Sequence, residues 1–344
     1  MKIAYLIESC IISGGNRVIF EHVHRLSERG NQVEIFSERL PIKNEPVLSY
    51  RIPIRHKNEA TSSEFDVLII SEPGLIFWAL DNVKSKKCFF LAQHDIEWMA
   101  EVNGERELAE ARNILFRSFP STCLILAVSS WLTDVFRIKY GISPILIPNG
   151  VNTELFSEKE PLVRLHNKPS LLLMYDPQIW KGFGDGIVAV DMVKAEIPEL
   201  EIMIMGKSMP TYSMPLPETS SWSFPWPVTF FSRPDQKNLS RIYSSASVFL
   251  SSSWLEGFGL PGLEAMACGV PVVTTDSGGV REYAIHEETA VVVPPRNPRA
   301  LADAVVRILN DKPLKQKLIK NGLEKIKEFD WGGTIDILEK TFKE

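Results

Sequence analysis

The sequence predicts an α/β protein made of two doubly wound domains, and three observations lead to this expectation. The chain has 344 residues, about twice the usual size of a single domain. Short β-branched runs alternate with segments of helical period, which is typical of parallel sheets covered by helices. A strand, a glycine loop and a helix open the chain, and the same order returns after residue 169. Each half is therefore expected to fold around its own parallel sheet.

The first half begins with a βαβ unit and continues with buried strands. Residues 2–8 form an apolar strand, Ser13-Gly14-Gly15 a glycine loop, and 17–29 a helix that Gly30 ends. The next strand covers residues 32–37. Further strands, with helices between them, are predicted at 66–71, 87–92, 123–128 and 145–147. We therefore expect residues 1–160 to form the first domain.

The second half repeats this architecture after a polar linker over 153–169. Its opening consists of a strand over 170–175, the glycine loop 181–184 and a helix over 187–193. Later strands are predicted at 200–205, 228–231, 247–252, 270–275 and 290–293, a loop and helix at 256–268, and a helix at 298–309. The stretch 208–234 is interpreted as a long ordered loop. The second domain is expected over 161–330, with a last helix near 331–343.

Composition and charge narrow the classes of function. The net charge is −5, so binding to nucleic acid, which needs a basic surface, is disfavoured. No apolar run approaches the roughly 18–20 residues of a membrane span, and no signal peptide is expected because Met1-Lys2-Ile3 leads straight into a strand. Four cysteines stand singly without zinc-ligand spacing, which favours buried thiols and a cytoplasmic location. No Asp-x-Asp or Cys/His cluster occurs, so no metal cofactor is expected.

Residues 256–264 are the most informative segment for function. Two facing α/β domains place a ligand at the carboxyl ends of their strands, and this segment follows the strand 247–252. Its glycines let a ligand approach the backbone, Pro261 suits the first helical turn, and a helix N-terminus favours an anion such as phosphate. Glu256 and Glu264 flank that position and can accept hydrogen bonds from sugar hydroxyls. The segment therefore favours a sugar nucleotide.

Two other interpretations of this segment stay open. Residues 257–262 also match GxGxxG, follow a strand and precede Asp276, as in dinucleotide-binding proteins. Against that interpretation, two carboxylates would repel a pyrophosphate, and the motif lies deep in its domain instead of after the first strand. Alternatively, Glu264 only complements the dipole of its helix, a contribution of about 0.3–1 kcal/mol.

An ordered set of motifs along nearly the whole chain resembles the retaining glycosyltransferases of the GT-B fold, family 4 (group 1). The motifs are Ser13-Gly14-Gly15, Arg29-Gly30, Ile147-Pro148-Asn149-Gly150-Val151, Lys181-Gly182, Glu256 and Glu264 with seven residues between them, 265–273 and Gly278-Gly279-Val280-Arg281-Glu282. Residues 14–17 and 93–97 are also weakly similar to bacterial rhamnosyltransferases of this family. The resemblance implies two Rossmann-like domains facing across a cleft, with the last helix, 331–344, crossing back to the first.

The resemblance also implies roles for individual residues. The second domain holds the nucleotide sugar: Glu264 binds the ribose hydroxyls, Glu256 faces the donor sugar and Lys181 binds the diphosphate. His94, after the strand 87–92, is placed near the reaction centre, so His94, Lys181 and Glu256 are the catalytic candidates. The further donor-binding candidates are Gly14, Gly15, Arg233, Gly257, Phe258, Gly259 and Leu260.

One position departs from the family pattern. An arginine usually stands five residues before the lysine, and here Asp176 occupies that position. Half of the usual cationic clamp on the diphosphate is therefore missing, and Arg233 and Arg17 are the candidates to replace it. A solvated surface side chain is the alternative role for Lys181.

The expected activity is retaining, metal-independent transfer of a hexose or deoxyhexose from a nucleoside-diphosphate sugar. The acceptor is expected to be a hydroxyl of a glycan or lipid-linked glycan in surface-polysaccharide assembly, and peripheral membrane contact is compatible with it. The resemblance implies that the departing diphosphate helps to deprotonate the acceptor on the same face of the sugar. An NAD(P)-dependent oxidoreductase and a non-catalytic partner subunit that binds sugar nucleotides are the alternatives.

Overall fold

A computed structural model describes residues 1–11, 13–40, 53–163, 168–206 and 224–344. The chain divides into two compact units. The first contains Met1–Gly150 together with Phe329–Glu344, and the second contains Val151–Glu328. Residues 164–167 of the expected linker and 208–223 of the expected long loop lie outside the described residues.

The first unit contains a parallel sheet of seven strands in the described residues, in the order β3-β2-β1-β4-β5-β6-β7. Its elements are β1 (Lys2–Ser9), α1 (Gly14–Glu28), β2 (Gln32–Arg39), β3 (Ile54–His56), β4 (Glu64–Ile70), α2 (Ile76–Asn82), β5 (Lys84–Ala92), α3 (Ile96–Val102), α4 (Arg106–Arg117), β6 (Cys123–Ala127), α5 (Ser130–Tyr140) and β7 (Ile145–Leu146). Five consecutive residues of β1, from Ile3 to Ile7, are buried. Burial of neighbouring residues that point to opposite faces shows that both faces of the sheet are covered.

The second unit is built in the same way. Its six described strands are parallel and follow the order β10-β9-β8-β11-β12-β13. The elements are β8 (Ser170–Tyr175), α6 (Phe183–Glu196), β9 (Glu201–Gly206), β10 (Val228–Ser232), α7 (Gln236–Tyr243), β11 (Val248–Ser251), α8 (Leu260–Ala267), β12 (Val272–Thr275), β13 (Val291–Val293), α9 (Pro298–Asn310) and α10 (Lys312–Lys325). Because strand order reverses beside β8, the carboxyl ends of β8 and β11 form a topological switch point. The predicted doubly wound fold of both halves is confirmed.

The last helix, α11 (Trp331–Lys343), belongs to the first unit although it follows the second in sequence. Its Trp331 and Phe342 are buried, and Phe342 packs on Phe89 of β5 at 5.4 Å between ring centroids. Arg29 after α1 donates hydrogen bonds to Asp336 at 2.5 Å and to the Gly332 carbonyl at 3.1 Å. The return of the chain is therefore held by apolar packing and by charge-assisted hydrogen bonds at the helix surface.

Three further features complete the comparison with the sequence. Three elements, β3, α7 and α10, were not predicted, whereas β10 falls on the strand predicted at 228–231, inside the stretch 208–234. All four cysteines are buried and none is disulfide-bonded. Among the described residues, every helix is too short or too polar to cross a bilayer.

Candidate functional site

The residues singled out in the second half lie at one edge of its sheet. Lys181 follows β8, Glu256 follows β11, and the segment from Ser277 to Glu282 follows β12. These three strands are neighbours, and the carboxyl ends of parallel strands meet at the same sheet edge. The structure therefore collects at this edge three segments that are far apart in sequence.

Backbone geometry holds Lys181 against the end of β11. A 3₁₀ turn, Ile179–Lys181, ends at Gly182, whose φ of +61° is left-handed. A Cβ at Gly182 would stand 2.0 Å from the carbonyl oxygen of Ser252, so only glycine fits there. The Trp254 amide also donates to the Trp180 carbonyl at 2.6 Å. Glycine at this position thus lets the lysine loop approach the residues that follow β11.

Lys181 and Glu256 form an ion pair at this edge. The lysine Nζ lies 2.9 Å from Oε1 and 3.0 Å from Oε2 of Glu256. The hydroxyl of Ser253 donates to Oε1 at 2.7 Å, and Glu256 is only 8% exposed. The buried carboxylate is therefore neutralised and hydrogen-bonded before any ligand arrives, which removes most of the cost of burying it.

The glycine loop that leads into α8 is locked to the segment after β12. The Glu256 amide donates to the Ser277 carbonyl at 2.7 Å, and the Gly279 amide donates to the Glu256 carbonyl at 2.9 Å. A Cβ at Gly279 would stand 2.1 Å from the Gly257 carbonyl oxygen. Two backbones therefore touch here without side chains between them. This glycine loop, hydrogen-bonded to the segment after β12, carries the candidates Gly257, Phe258, Gly259 and Leu260.

Helix α8 begins without a side-chain cap at this loop. Its N-cap is Gly259, with a φ of +85°, and Pro261 lies in the first turn. The phenol of Tyr283 donates to the Gly259 carbonyl at 2.5 Å and lies under Gly262, where a Cβ would approach the phenol oxygen to 2.6 Å. Burial, with Glu256 and Glu264 nearby, raises the pKa of Tyr283 well above its usual value, so it stays a donor. An uncapped helix N-terminus of this kind is suited to an anion.

Glu264 lies within α8 and is 3% exposed. The hydroxyl of Tyr243, the last residue of α7, donates to its Oε2 at 2.9 Å. Sequence reasoning missed Tyr243, Ser253 and Tyr283, because no pattern in the sequence connects them to the two glutamates. For the two tyrosines the signal is a polar hydroxyl on a buried aromatic ring, and their burial is known only from the folded structure.

Arg233, predicted to bind the donor, lies on the side of β8 that faces away from β11. Arg233 follows β10, and its amide donates to the Gly206 carbonyl at 2.8 Å. Because β10 is two strands away from β8, the two strands are roughly 10 Å apart at the usual spacing. Asp176, at the position of the missing arginine, accepts a hydrogen bond from the Gln178 amide at 3.1 Å. It therefore shapes the turn that leads to Lys181.

The candidates of the first unit also lie at strand ends. Gly14 and Gly15 open α1 after β1, and the side chain of Gln93 approaches within 3.2 Å of where a Cβ of Gly15 would be. His94 follows Gln93, two residues beyond β5. The structure thus brings the glycine loop and the residues beside His94 together within this unit.

A polar network anchors the segment that carries His94. Asp95 caps α3 by accepting from the Trp98 amide at 3.2 Å, and its other oxygen lies 2.8 Å from Nζ of Lys139. Glu97 accepts hydrogen bonds from Tyr140 and from Asn113. Burial and this carboxylate raise the pKa of Tyr140. Helices α4 and α5 therefore anchor Asp95 and Glu97, which follow His94 in the chain.

Two family profiles match the sequence. "Glycosyltransferase Family 4" covers residues 12–155 and "Glycosyl transferases group 1" covers residues 158–325. Together they span both units, and the motifs of the site lie inside them. The chain belongs to the group 1 glycosyltransferases of family 4, which have the GT-B fold.

Known proteins agree with this assignment. The chain is 27% identical to a D-inositol 3-phosphate glycosyltransferase of Corynebacterium diphtheriae over 259 aligned residues. The alignment covers 70% of this chain and 60% of that protein. The chain thus spans about three fifths of that relative's length. The structure resembles sucrose-phosphate synthase from Thermosynechococcus elongatus, with a TM-score of 0.79 and 21% identity over 99% of this chain and 98% of that one. It also resembles Anabaena HepE in complex with UDP-glucose, with a TM-score of 0.77 and 15% identity over 100% and 99% of the chains. At these identities, the two structural likenesses establish the fold alone.

Proposed function

We propose that this protein is a retaining glycosyltransferase that moves a hexose or deoxyhexose from a nucleoside-diphosphate sugar to a hydroxyl of a glycan or lipid-linked glycan. The observation that carries the proposal is the Lys181–Glu256 ion pair beside the uncapped N-terminus of α8, with Glu264 inside that helix. Cationic, anion-binding and hydroxyl-accepting groups then share one sheet edge. The family relationship, and a fold neighbour solved with UDP-glucose, support the same class of donor.

The ion pair answers the objection that two carboxylates would repel a diphosphate. Glu256 is already neutralised by Lys181, so a bound phosphate meets no uncompensated negative charge from it. An ammonium group has three N–H donors, and two hydrogen bonds to the glutamate leave a third for a phosphate oxygen. A carboxylate has about four lone-pair sites, so Glu256 is also a suitable acceptor for a hydroxyl of the transferred sugar. One pair of residues therefore serves both the leaving group and the sugar.

In this proposal the chemistry depends on stabilising the charge that develops on the departing diphosphate. Lys181 Nζ and the peptide N–H groups at the start of α8 are already in place and need no reorganisation. In the same proposal, His94 of the first unit acts near the reacting carbon. The departing diphosphate takes the proton of the acceptor hydroxyl on the same face of the sugar. The resemblance to retaining enzymes supports this stereochemistry.

No metal or cofactor takes part in the proposed reaction. Within the parts of the chain that the structure describes, no group of three or more His, Cys, Asp or Glu side chains is arranged to hold an ion. Protein cations and helix N-termini would then neutralise the diphosphate. Transfer is expected to persist in excess EDTA, and abolition by EDTA with recovery in Mg²⁺ or Mn²⁺ would contradict this part of the proposal. A cytoplasmic role in surface-glycan assembly belongs to the same proposal.

A ligand panel followed by a transfer assay tests the function. UDP-, GDP-, ADP- and dTDP-sugars and NAD are compared by thermal shift, and the stabilising donor is incubated with glycan acceptors. NMR of the product gives the anomeric configuration, which should match that of the donor. Stabilisation by NAD alone would favour the oxidoreductase, and donor binding without transfer would favour a non-catalytic subunit.

The activity of one variant pair sharpens the test. Lys181→Ala should lower turnover about 10²–10³-fold, because one preorganised charge contact to a developing oxyanion is worth roughly 3–4 kcal/mol. Lys168→Ala is the matched control, since Lys168 forms an exposed ion pair with Glu201 in the same unit. A loss below tenfold in folded Lys181→Ala would remove the lysine from the proposed mechanism.

A further inference from the structure

The hydrogen bond between Tyr243 and Glu264 is a buried polar contact of the second unit that the proposed reaction does not use. The phenol donates to Oε2 at 2.9 Å, and both residues are buried, at 0% and 3% exposure. The two residues come from different helices, α7 and α8, and are 21 positions apart. The contact therefore depends on how these helices pack.

Tyr243 is held in a single orientation by its surroundings. Phe249 of β11 lies at 5.7 Å between ring centroids and Phe156 at 6.1 Å, both in edge-to-face geometry. Aromatic pairs of this geometry are favourable and restrict the rotation of the enclosed ring. The Tyr243 carbonyl also accepts from the Ala246 amide at 2.8 Å. The hydroxyl is thus a fixed donor aimed at Glu264.

A fixed donor changes what a glutamate can recognise. The last torsion of a glutamate side chain is broad and roughly two-fold, so an isolated carboxylate samples many planes. A hydrogen bond from a rigid phenol to one oxygen selects one plane and satisfies a buried acceptor. A pair of adjacent hydroxyls on a five-membered ring presents two donors in a fixed relation, and it is bound best by an acceptor whose plane is already set.

We propose that Tyr243 is a positioning residue that sets the plane of the Glu264 carboxylate for the ribose diol of the donor. The inference rests on the proposed function, since it takes the ligand of Glu264 to be ribose. It extends that function to the discrimination between ribonucleotides and nucleotides that lack ribose hydroxyls. In this proposal the Tyr243 hydroxyl acts through Glu264 and does not itself touch the ligand.

The test compares nucleotides that differ only in the sugar hydroxyls. Calorimetry measures the Kd of wild type, Tyr243→Phe and Glu264→Gln for UDP and GDP and for their 2′,3′-dideoxy counterparts. Tyr243→Phe should weaken binding of the ribonucleotide about five- to tenfold, the size of one net hydrogen bond, and leave the dideoxy nucleotide within twofold. Glu264→Gln should remove most of the preference for the ribonucleotide.

Two further variants separate positioning from general damage. Tyr5→Phe removes a buried hydroxyl in the first unit, where it contacts Nδ1 of His22 at 3.4 Å, and should leave all four affinities unchanged. Tyr243→Met gives the same comparison if the phenylalanine variant does not fold, because methionine refills irregular space without a hydroxyl. A purely structural role of Tyr243 would weaken ribonucleotide and dideoxynucleotide equally.

The outcomes distinguish the two proposals. Equal weakening of both nucleotides, or none, in Tyr243→Phe overturns the positioning role while Glu264→Gln still confirms the ribose contact. An unchanged ribonucleotide preference in Glu264→Gln overturns the ribose contact itself. If wild type binds none of UDP, GDP and ADP at millimolar concentration, this inference fails, because dTDP carries deoxyribose and has no diol. If wild type does not bind dTDP either, the nucleotide site fails as well.

Discussion

Replacing Lys181 by methionine tests the central ion pair through stability as well as ligand binding. Methionine keeps an unbranched apolar side chain one atom shorter than lysine and removes the ammonium group with its charge and its donors. In the variant, the Glu256 carboxylate keeps the Ser253 hydrogen bond and loses both contacts to Nζ. The variant therefore leaves a largely buried anion without its counter-ion.

The expected loss follows from distance and exposure. At N–O separations of 2.9 and 3.0 Å, and at an effective dielectric constant of about 20, the attraction is about 5 kcal/mol. Breaking a buried pair costs roughly 3–5 kcal/mol, whereas exposed pairs contribute about 0–1 kcal/mol. The side chains of Lys181 and Glu256 are 24% and 11% exposed, between these cases. We expect Lys181→Met to destabilise the second unit by about 2–3 kcal/mol.

Native-state hydrogen exchange of peptides from β8 and β11 measures this loss in the intact chain. Lys168→Met is the control, since its partner Glu201 forms an exposed pair at 3.0 Å, and its effect should stay below about 1 kcal/mol. Glu256→Gln and the double variant complete a double-mutant cycle, with an expected coupling of at least about 1.5 kcal/mol. Affinity for the nucleoside diphosphate should fall about 100-fold in Lys181→Met, because the lost cation also leaves a repelling carboxylate.

The reasoning is refuted by two results. If Lys181→Met and Lys168→Met differ by less than about 0.5 kcal/mol in opening free energy, the buried pair does not contribute as argued. If the double-mutant cycle shows no coupling while nucleotide affinity still falls, Lys181 contacts the ligand but is not organised by Glu256.

Three other predictions follow from local geometry. Gly182→Ala should destabilise the second unit far more than Gly269→Ala. Both glycines have a left-handed φ, which costs alanine about 1–2 kcal/mol, but only at Gly182 would the new Cβ collide with a backbone oxygen, so comparable unfolding curves would contradict this. Burial lowers the pKa of His22 from 6.5 to about 3, so between these pH values only the unfolded chain binds the proton. The free energy of unfolding should therefore fall by about 1.4 kcal/mol for each unit by which the pH is lowered below 6.5, and it should be flat above pH 6.5. His22→Asn should remove this slope in urea unfolding. Deleting residues 331–344 removes the four buried apolar side chains of α11, each contributing about 1.5–3 kcal/mol, and exposes the surface of the first unit on which they pack. Amides of β5 and α1 should therefore lose exchange protection, while those of β12 in the second unit keep theirs.

Much of the fold follows from local patterns in the sequence. Unbroken apolar runs such as 170–175 predict strands buried on both faces, and the glycine loops after them predict where the chain turns. The prediction failed at α10, where Lys312, Lys315 and Lys317 make the segment polar, and at β3, which is only three residues long. Such elements are specified by what they pack against, so local periodicity is weak there.

The candidate site was predicted as a set of residues but not as an arrangement. The motif from Glu256 to Glu264 predicts a helix start suited to an anion, because glycine and proline act through local backbone geometry. The pairing of Glu256 with Lys181, 75 positions away, depends on β11 lying beside β8, and strand order is a nonlocal property. The same holds for Tyr243 and Glu264, and for α11, which packs on the first unit after the chain has completed the second. The sequence by itself therefore determined most of the elements and the chemical groups, while the tertiary structure decided which groups meet, because contacts between distant segments are set by the packing of whole sheets and helices.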